Sequence, residues 1–458
     1  MEMHFMPDRD LPRRSFLALA LALVPLAPAG CVIPKVLGDN VTAGTSETDA
    51  TTAAATAVTT DPTDGAPICA AGQGGDPGGT LSWTLVGDEL PAYFMAAAIN
   101  SKDQMVLVGT RADPIENGQV RLDVREADGS LVWERSYDGA PGLDDHGVAV
   151  VVGTDDGVYA LVREQVLFEA GDPDQGEAAT ADAHLVVLHY AADGALLWRW
   201  EQDHPPVGAG EEYTPYGTIE LIGDGVGVLV RSHDEAPMLI RLDALGAAAS
   251  QVTLAAPAGL TVEQQALAAD GSVILGGDLE GPMGEHALWV GRFAPNGALI
   301  WADTFGGLDD EPTALIPVAS DGEVLMAWST STPGGTVNQL RRYGPAGAAL
   351  WTVPLALTGL DSGVSSGALR CDGTVLLSGF SEVPPSPESQ WGVRQELWVA
   401  AYTTGGAQLW ARGLAFGEVE SIGQPNDVVS TANGDAIVVG GFQNESDVGP
   451  WLGHFAGG

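Results

Sequence analysis

The sequence predicts an all-β fold: a seven-bladed β-propeller of four-stranded antiparallel blades, closed by an N-terminal strand that completes the last blade. Three observations carry that expectation. A Gly followed four residues later by Trp recurs at Trp83, Trp133, Trp198, Trp301, Trp351 and Trp410, with a degenerate copy from Gly246 to Ser250. Successive copies are 50, 65, 52, 51, 50 and 59 residues apart, and a fixed period of this size marks an array of supersecondary units. The ends are in phase: the first copy starts at Gly78-Gly79 and the chain stops at Gly457-Gly458, where another would begin. Finally, Asp-Gly and Asn-Gly pairs separate short apolar runs, the strongest short-range hairpin signal.

Each unit reads as four strands. In the second, VAVVV (148–152) is followed by a turn at Asp156-Gly157 and VYALVR (158–163); a longer loop leads to AHLVVLHY (183–190), a turn at Asp193-Gly194 and ALLWRW (195–200). The first hairpin carries its turn signal again at Asp224-Gly225, Asp270-Gly271, Asp321-Gly322, Asp372-Gly373 and Asn433-Gly434; the first unit substitutes Asn100-Ser101-Lys102-Asp103. Type I′ turns are expected there, because Asp-Gly and Asn-Gly tolerate positive φ at both central positions. Second strands such as MVLVG, VILGG and IVVGG are near-continuously apolar, as strands covered on both faces should be. Stacking such sheets around an axis buries both faces and protects the edges. The last unit supplies only three strands, and TLSWTLV (80–86) is its missing fourth. The repeat tryptophans, on the outermost strands, are expected to wedge between blades as core, each burying about 150–250 Å².

Residues 1–30 read as an export signal. Arg13-Arg14 precede an apolar run ending at Leu26, too short for a comfortable membrane span. RRSFL resembles the twin-arginine export motif; an ordinary Sec signal is the alternative. Ala29-Gly30-Cys31 resembles the end of a bacterial lipobox, which would make Cys31 the lipidated residue, although Pro28 departs from that pattern. Cleavage after Ala27-Pro28-Ala29 by the ordinary signal peptidase is the competing reading. Residues 31–77 would then be an anchor and tether, since the Thr/Ala/Asp-rich stretch 40–66 is too polar to bury a core. Lipidation at Cys31 leaves two of the three cysteines, Cys69 and Cys371, either to pair in an oxidising compartment or to stay free. The propeller itself spans 78–458. An extracytoplasmic location follows, as an outer-membrane or surface lipoprotein, or as a secreted or periplasmic soluble protein.

The net charge is −42, and removing residues 1–31 leaves it unchanged, because three acids and three bases leave together. A field of that sign repels nucleic-acid phosphates and offers no counterion release. Expected partners are instead a protein, a glycan or a cationic ligand, bound by a monomer that touches membrane only through its lipid.

The repeat pattern, apolar strand, Asp-Gly, strand, loop, strand, then Gly-x-Leu-x-Trp, resembles the bacterial extracellular propeller repeats of the SBBP, delta-60 and PQQ-like kinds over residues 78–458. That resemblance implies secreted or surface-exposed binding and scaffolding proteins, with one enzyme branch, the quinoprotein dehydrogenases.

Candidate functional residues lie on the rim formed by loops leading into first strands and by loops between second and third strands. Its acids include Asp144, Asp145, Asp309 and Asp310, candidate Ca²⁺ ligands because hard cations take six to eight oxygens; no complete calcium-loop motif accompanies them, and solvated loop acids are the plainer reading. His146, beside Asp144 and Asp145, has the same two readings. The most elaborated loops are 164–182 and 381–396, and Trp391 in the second could contact a partner or pack locally. Gly363-Val364-Ser365-Ser366-Gly367 matches a hydrolase elbow only formally, because it leads into a strand rather than a helix. First strands such as MAAAI look small and apolar, which favours a non-enzymatic binding or scaffold module. The alternative is an extracytoplasmic propeller enzyme, quinoprotein-like or hydrolytic, with its site in the axial channel.

Overall fold

A computed structural model describes residues 79–86, 93–111, 118–139, 143–166, 183–203, 216–231, 236–281, 283–307, 310–318, 322–357, 362–370, 372–383, 394–414, 421–444 and 448–457. Its strands form seven four-stranded antiparallel sheets. Blade 1 comprises Tyr93–Ile99, Met105–Arg111, Gln119–Arg125 and Leu131–Tyr137; blade 2 comprises Leu143–Val152, Val158–Val166, Ala183–Tyr190 and Leu196–Asp203. Blade 3 comprises Tyr216–Ile222, Gly225–Arg231, Met238–Leu242 and Ala248–Thr253; blade 4 comprises Leu260–Leu267, Val273–Glu280, His286–Phe293 and Leu299–Phe305. Blade 5 comprises Asp310–Val318, Glu323–Thr332, Gly335–Tyr343 and Ala349–Pro354; blade 6 comprises Ser362–Leu369, Val375–Val383, Arg394–Tyr402 and Gln408–Leu414. Blade 7 takes Ser421–Ser430, Ala436–Asn444 and Val448–Ala456 from the C-terminal end and Thr80–Val86 from the other. The exchange is a true ladder, with Thr80 opposite Ala456 and Val86 opposite Trp451.

First strands are innermost. Each neighbours the first strand of the next blade, and that of blade 7 neighbours that of blade 1, so the ring is closed. The core lies between blades as seven apolar clusters, each shared by two adjacent sheets. Val106 and Val108 of blade 1, for example, meet Val150, Ala160 and Val162 of blade 2.

The turns differ from the expected type I′. Most hairpins close with three-residue loops, a type I turn followed by a single left-handed residue, as in Glu126–Ser130, where Gly129 N–H donates to Glu126 O and Glu126 N–H to Ser130 O. Only that third loop residue needs positive φ, which is +86° at Gly129 and +62° at Asp156. At 156–157 the strained position therefore falls on the Asp, not on the following Gly.

The repeated Gly and Trp prove to be two halves of a joint between blades. A Cβ on Gly79 would stand 2.6 Å from Trp410, one on Gly246 2.6 Å from Trp198, and one on Gly347 2.7 Å from Trp301. Gly194 lies against Trp133 in the same way, Gly406 against Trp351 and Gly129 against Trp83. In each pair the Trp belongs to one blade and the Gly lies just before the fourth strand of the next, in its third hairpin turn except in blade 7, where Gly79 leads into the N-terminal strand. Three of the indoles also donate to that turn: Trp83 Nε1 to Ala127 O, Trp133 to Ala192 O and Trp198 to Ala244 O, each at 3.0 Å. Between blades 3 and 4 the Trp position is Ser250, and Gly297 meets Val252 instead.

A second repeated device marks the axis. Six of the seven first strands carry a β-bulge at the same register, at Met95, Val148, Glu263, Thr313, Ser365 and Asn426. A bulge bends its strand and sharpens the twist, so the channel wall is kinked at one height. Blade 3 pairs without one.

Candidate functional site

The inner wall is more polar than its apolar reading. Asp427, next to the bulge of blade 7, bridges three blades: Oδ2 accepts Ala97 N–H of blade 1 at 3.0 Å, and Oδ1 accepts the Ser366 hydroxyl of blade 6 at 2.9 Å and Val428 N–H at 2.8 Å. Burial pushes its carboxyl up to about 6 despite those bonds. Asn426 Nδ2 donates to Phe94 O of blade 1 at 2.5 Å. Glu220, on the unbulged first strand of blade 3, is pushed up to about 7 by burial. Glu311, the second residue of the first strand of blade 5, is exposed, and desolvation raises its carboxyl. Asp427, Asn426 and Glu220 did not stand out as candidates from sequence; the available signal was a carboxylate or amide inside an otherwise apolar strand.

Asp144, Asp145 and His146 are not loop residues. The first strand of blade 2 begins at Leu143, and these three side chains are buried, Asp145 completely. Asp144 Oδ1 accepts Gly118 N–H at 2.8 Å and Asp145 Oδ2 accepts Gly139 N–H at 2.6 Å, so both tie the strand to blade 1 and its connection. His146 Nδ1 lies 3.3 Å from the Tyr93 hydroxyl and 3.4 Å from that of Thr110. Burial and the neighbouring Arg163 hold its imidazole down to about 4, neutral at any physiological pH. Asp310 does the same work in blade 5, accepting Gly307 N–H at 2.7 Å and the Thr330 hydroxyl.

The three described candidate Ca²⁺ ligands therefore do not converge. Asp144 and Asp145 belong to blade 2, Asp310 to blade 5, and Asp309 lies outside the described residues. Among the described residues no group of three or more His, Cys, Asp or Glu is arranged to hold a metal ion. Cys31, Cys69, Cys371 and Trp391 also lie outside the described residues.

Beside Asp145 stands an acid that the sequence did not single out. Glu164 is its cross-strand neighbour on the second strand of blade 2 and is fully buried. Its Oε1 accepts the Tyr137 hydroxyl at 2.5 Å and pairs with Arg199 Nη2 at 3.1 Å. Its Oε2, like Asp145 Oδ1, is buried without a hydrogen-bond partner. Both carboxylates crowd one point: a Cβ on Gly139 would stand 2.5 Å from Glu164 Cδ and 3.0 Å from Asp145 Oδ1.

A groove of about 640 Å³ opens at the closing seam, lined by Leu85 of the N-terminal strand and, from blade 1, by Arg111, Arg121, Arg125, the turn 128–131 and Glu134. Arg121 and Arg125 flank Asp123 at 2.8 Å each, and Arg121 also reaches Glu134 at 2.6 Å. Their charge is thus largely balanced within the groove.

No family model matches the chain, and no curated protein does. Solved structures similar to it include a Dyadobacter fermentans protein of unknown function, 13% identical over 74% of this chain and 99% of that one (TM-score 0.44). The propeller domain of the Trilobed protease from Pyrococcus furiosus, described as having an open velcro topology, is 10% identical over 82% of this chain and 94% of that one (TM-score 0.41). The WD40 domain of SCAP from fission yeast is 10% identical over 83% and 96% (TM-score 0.40). Likenesses this distant carry no functional argument.

Proposed function

We propose that this chain is an exported, lipid-anchored propeller that acts as a non-enzymatic binding or scaffold module through its acidic rim. One observation carries the reading: its carboxylates divide into two populations. One set, the buried Asp144 and Asp145 and the half-buried Asp310 and Asp427, accepts hydrogen bonds that join segments of the frame. Exposed ones on the rim, such as Asp138, Glu280, Glu285 and Glu311, face solvent and are the acids available to a protein, glycan or cationic partner.

The test compares the full-length protein with a D138N/E280Q/E311Q variant, each immobilised in detergent and exposed to an envelope extract. A partner retained by the native chain and lost by the variant at equal thermal stability supports rim binding; identical retention by both, or none by either, overturns it. The anchor has its own test. Substituting Cys31→Ala should move the protein from the membrane fraction to the soluble fraction, and an unchanged distribution would remove the lipid from the proposal.

A second reading, an extracytoplasmic enzyme with an axial-channel site, is favoured by Glu220, a first-strand carboxyl that burial pushes up to about 7, within the range a general acid uses. Loss of any hydrolytic or dehydrogenase activity in E220Q would support it.

A further inference from the structure

Blade 5 offers an internal control for the buried acid pair in blade 2. Asp145 and Asp310 occupy the same register, three residues before the bulge of their strands, and each accepts the amide of a preceding glycine. In blade 5 the residue across the ladder is Thr330, whose hydroxyl supplies the donor that the second carboxylate oxygen needs. In blade 2 that residue is Glu164, an acceptor where a donor is required. Two carboxylates packed together and shielded from water cannot both remain ionised. One proton resolves the conflict, turning one acid into the donor that Thr330 provides in blade 5.

We propose that Asp145 and Glu164 share a single proton at neutral pH, and that this proton latches the connection between blades 1 and 2, held at Gly139, onto the first strand of blade 2. The surroundings set its strength. Arg199 on the fourth strand pairs with Glu164 but also with Glu201, at 2.7 Å. His184, across the ladder from Glu164, lies 3.7 Å from Glu201. Asp138 beside Gly139 and Asp144 on the same strand both favour the protonated state. The Tyr137 hydroxyl is raised by burial and by Glu164, so it stays a donor. Burial, the larger cause, and the neighbouring acids push Asp145 up to about 7. Because this value lies above the ordinary carboxylate value of about 4 in an unfolded chain, the folded state binds the extra proton. The stabilisation is complete below pH ~4 and is lost as pH rises through 7.

The test follows melting of the full chain from pH 5 to 8.5 in the native protein and in E164T, which installs the blade 5 arrangement. The native Tm should fall across neutrality relative to E164T, and folding near pH 6 should take up about one more proton. The infrared band of neutral carboxylic acids at pH 7, to which Glu220 contributes equally in every variant, should be stronger in the native protein than in D145N and E164T, and that difference reads the proton directly. Equal pH slopes in native and E164T chains, or equal bands in native and variant chains, would overturn the proposal. So would millimolar Ca²⁺ abolishing the slope in the native protein alone, since a metal ion and not a proton would then join the pair.

Discussion

Asp427 shows how much one side chain can hold at the axis. Its carboxylate accepts two backbone amides and one hydroxyl, drawn from three blades. Removing it orphans all three donors, and each buried donor left unpaired costs about 1–3 kcal/mol. D427A should therefore lose at least about 3 kcal/mol, read as a lowered urea midpoint with an unchanged m-value. In the sequence this residue sits in Pro425-Asn426-Asp427 ahead of Val428-Val429, a pattern that reads as a loop before a strand. Asp144 and Asp145 misled in the same way. Hydrophobic periodicity locates the apolar half of a strand and cannot see that a strand extends into polar residues when neighbouring blades supply their partners. The fully buried Glu164 was invisible for a further reason, because only its position across from Asp145 makes it unusual.

At the scale of elements the repeat was legible, since a Trp every 50 or so residues needs no structure to be noticed. What the pattern could not disclose was the Trp's partner, the Gly of the following unit. Truncating a nearly buried joint residue such as Trp301, 7% exposed and stacked on Tyr343 at 5.3 Å, should cost about 3–5 kcal/mol. The opposite experiment is available at Ser250, the one joint without a Trp. S250W restores the consensus beside Gly297, and a gain of about 0.5–2 kcal/mol is expected, seen as a higher Tm. No gain would mean that Val252 already fills the space. The turn type was misjudged because Asp-Gly is compatible with more than one loop. Loop length, set by the ladder, selected the three-residue form.

For the molecule as a whole, closure is the decisive property. The strand Thr80–Val86 supplies one edge of blade 7 and the Trp83 joint to blade 1, so two interfaces depend on seven residues. Deleting 78–87 should lower the melting temperature of the entire domain in one cooperative transition. Hydrogen exchange that rises only in blade 7 would contradict that expectation.

Within any one unit, the Gly and the Trp serve different neighbours: the Gly receives the preceding blade and the Trp engages the following one. A unit is thus a socket and a plug on one piece of chain. Gene segments encoding whole units can be copied, lost or exchanged without leaving any plug facing an unfamiliar socket, and a weak copy, such as the one ending at Ser250, impairs a single joint while its neighbours keep theirs. Blade number is then limited by the curvature of the ring, not by the identity of the pieces, and new loops can be tried on one blade at a time.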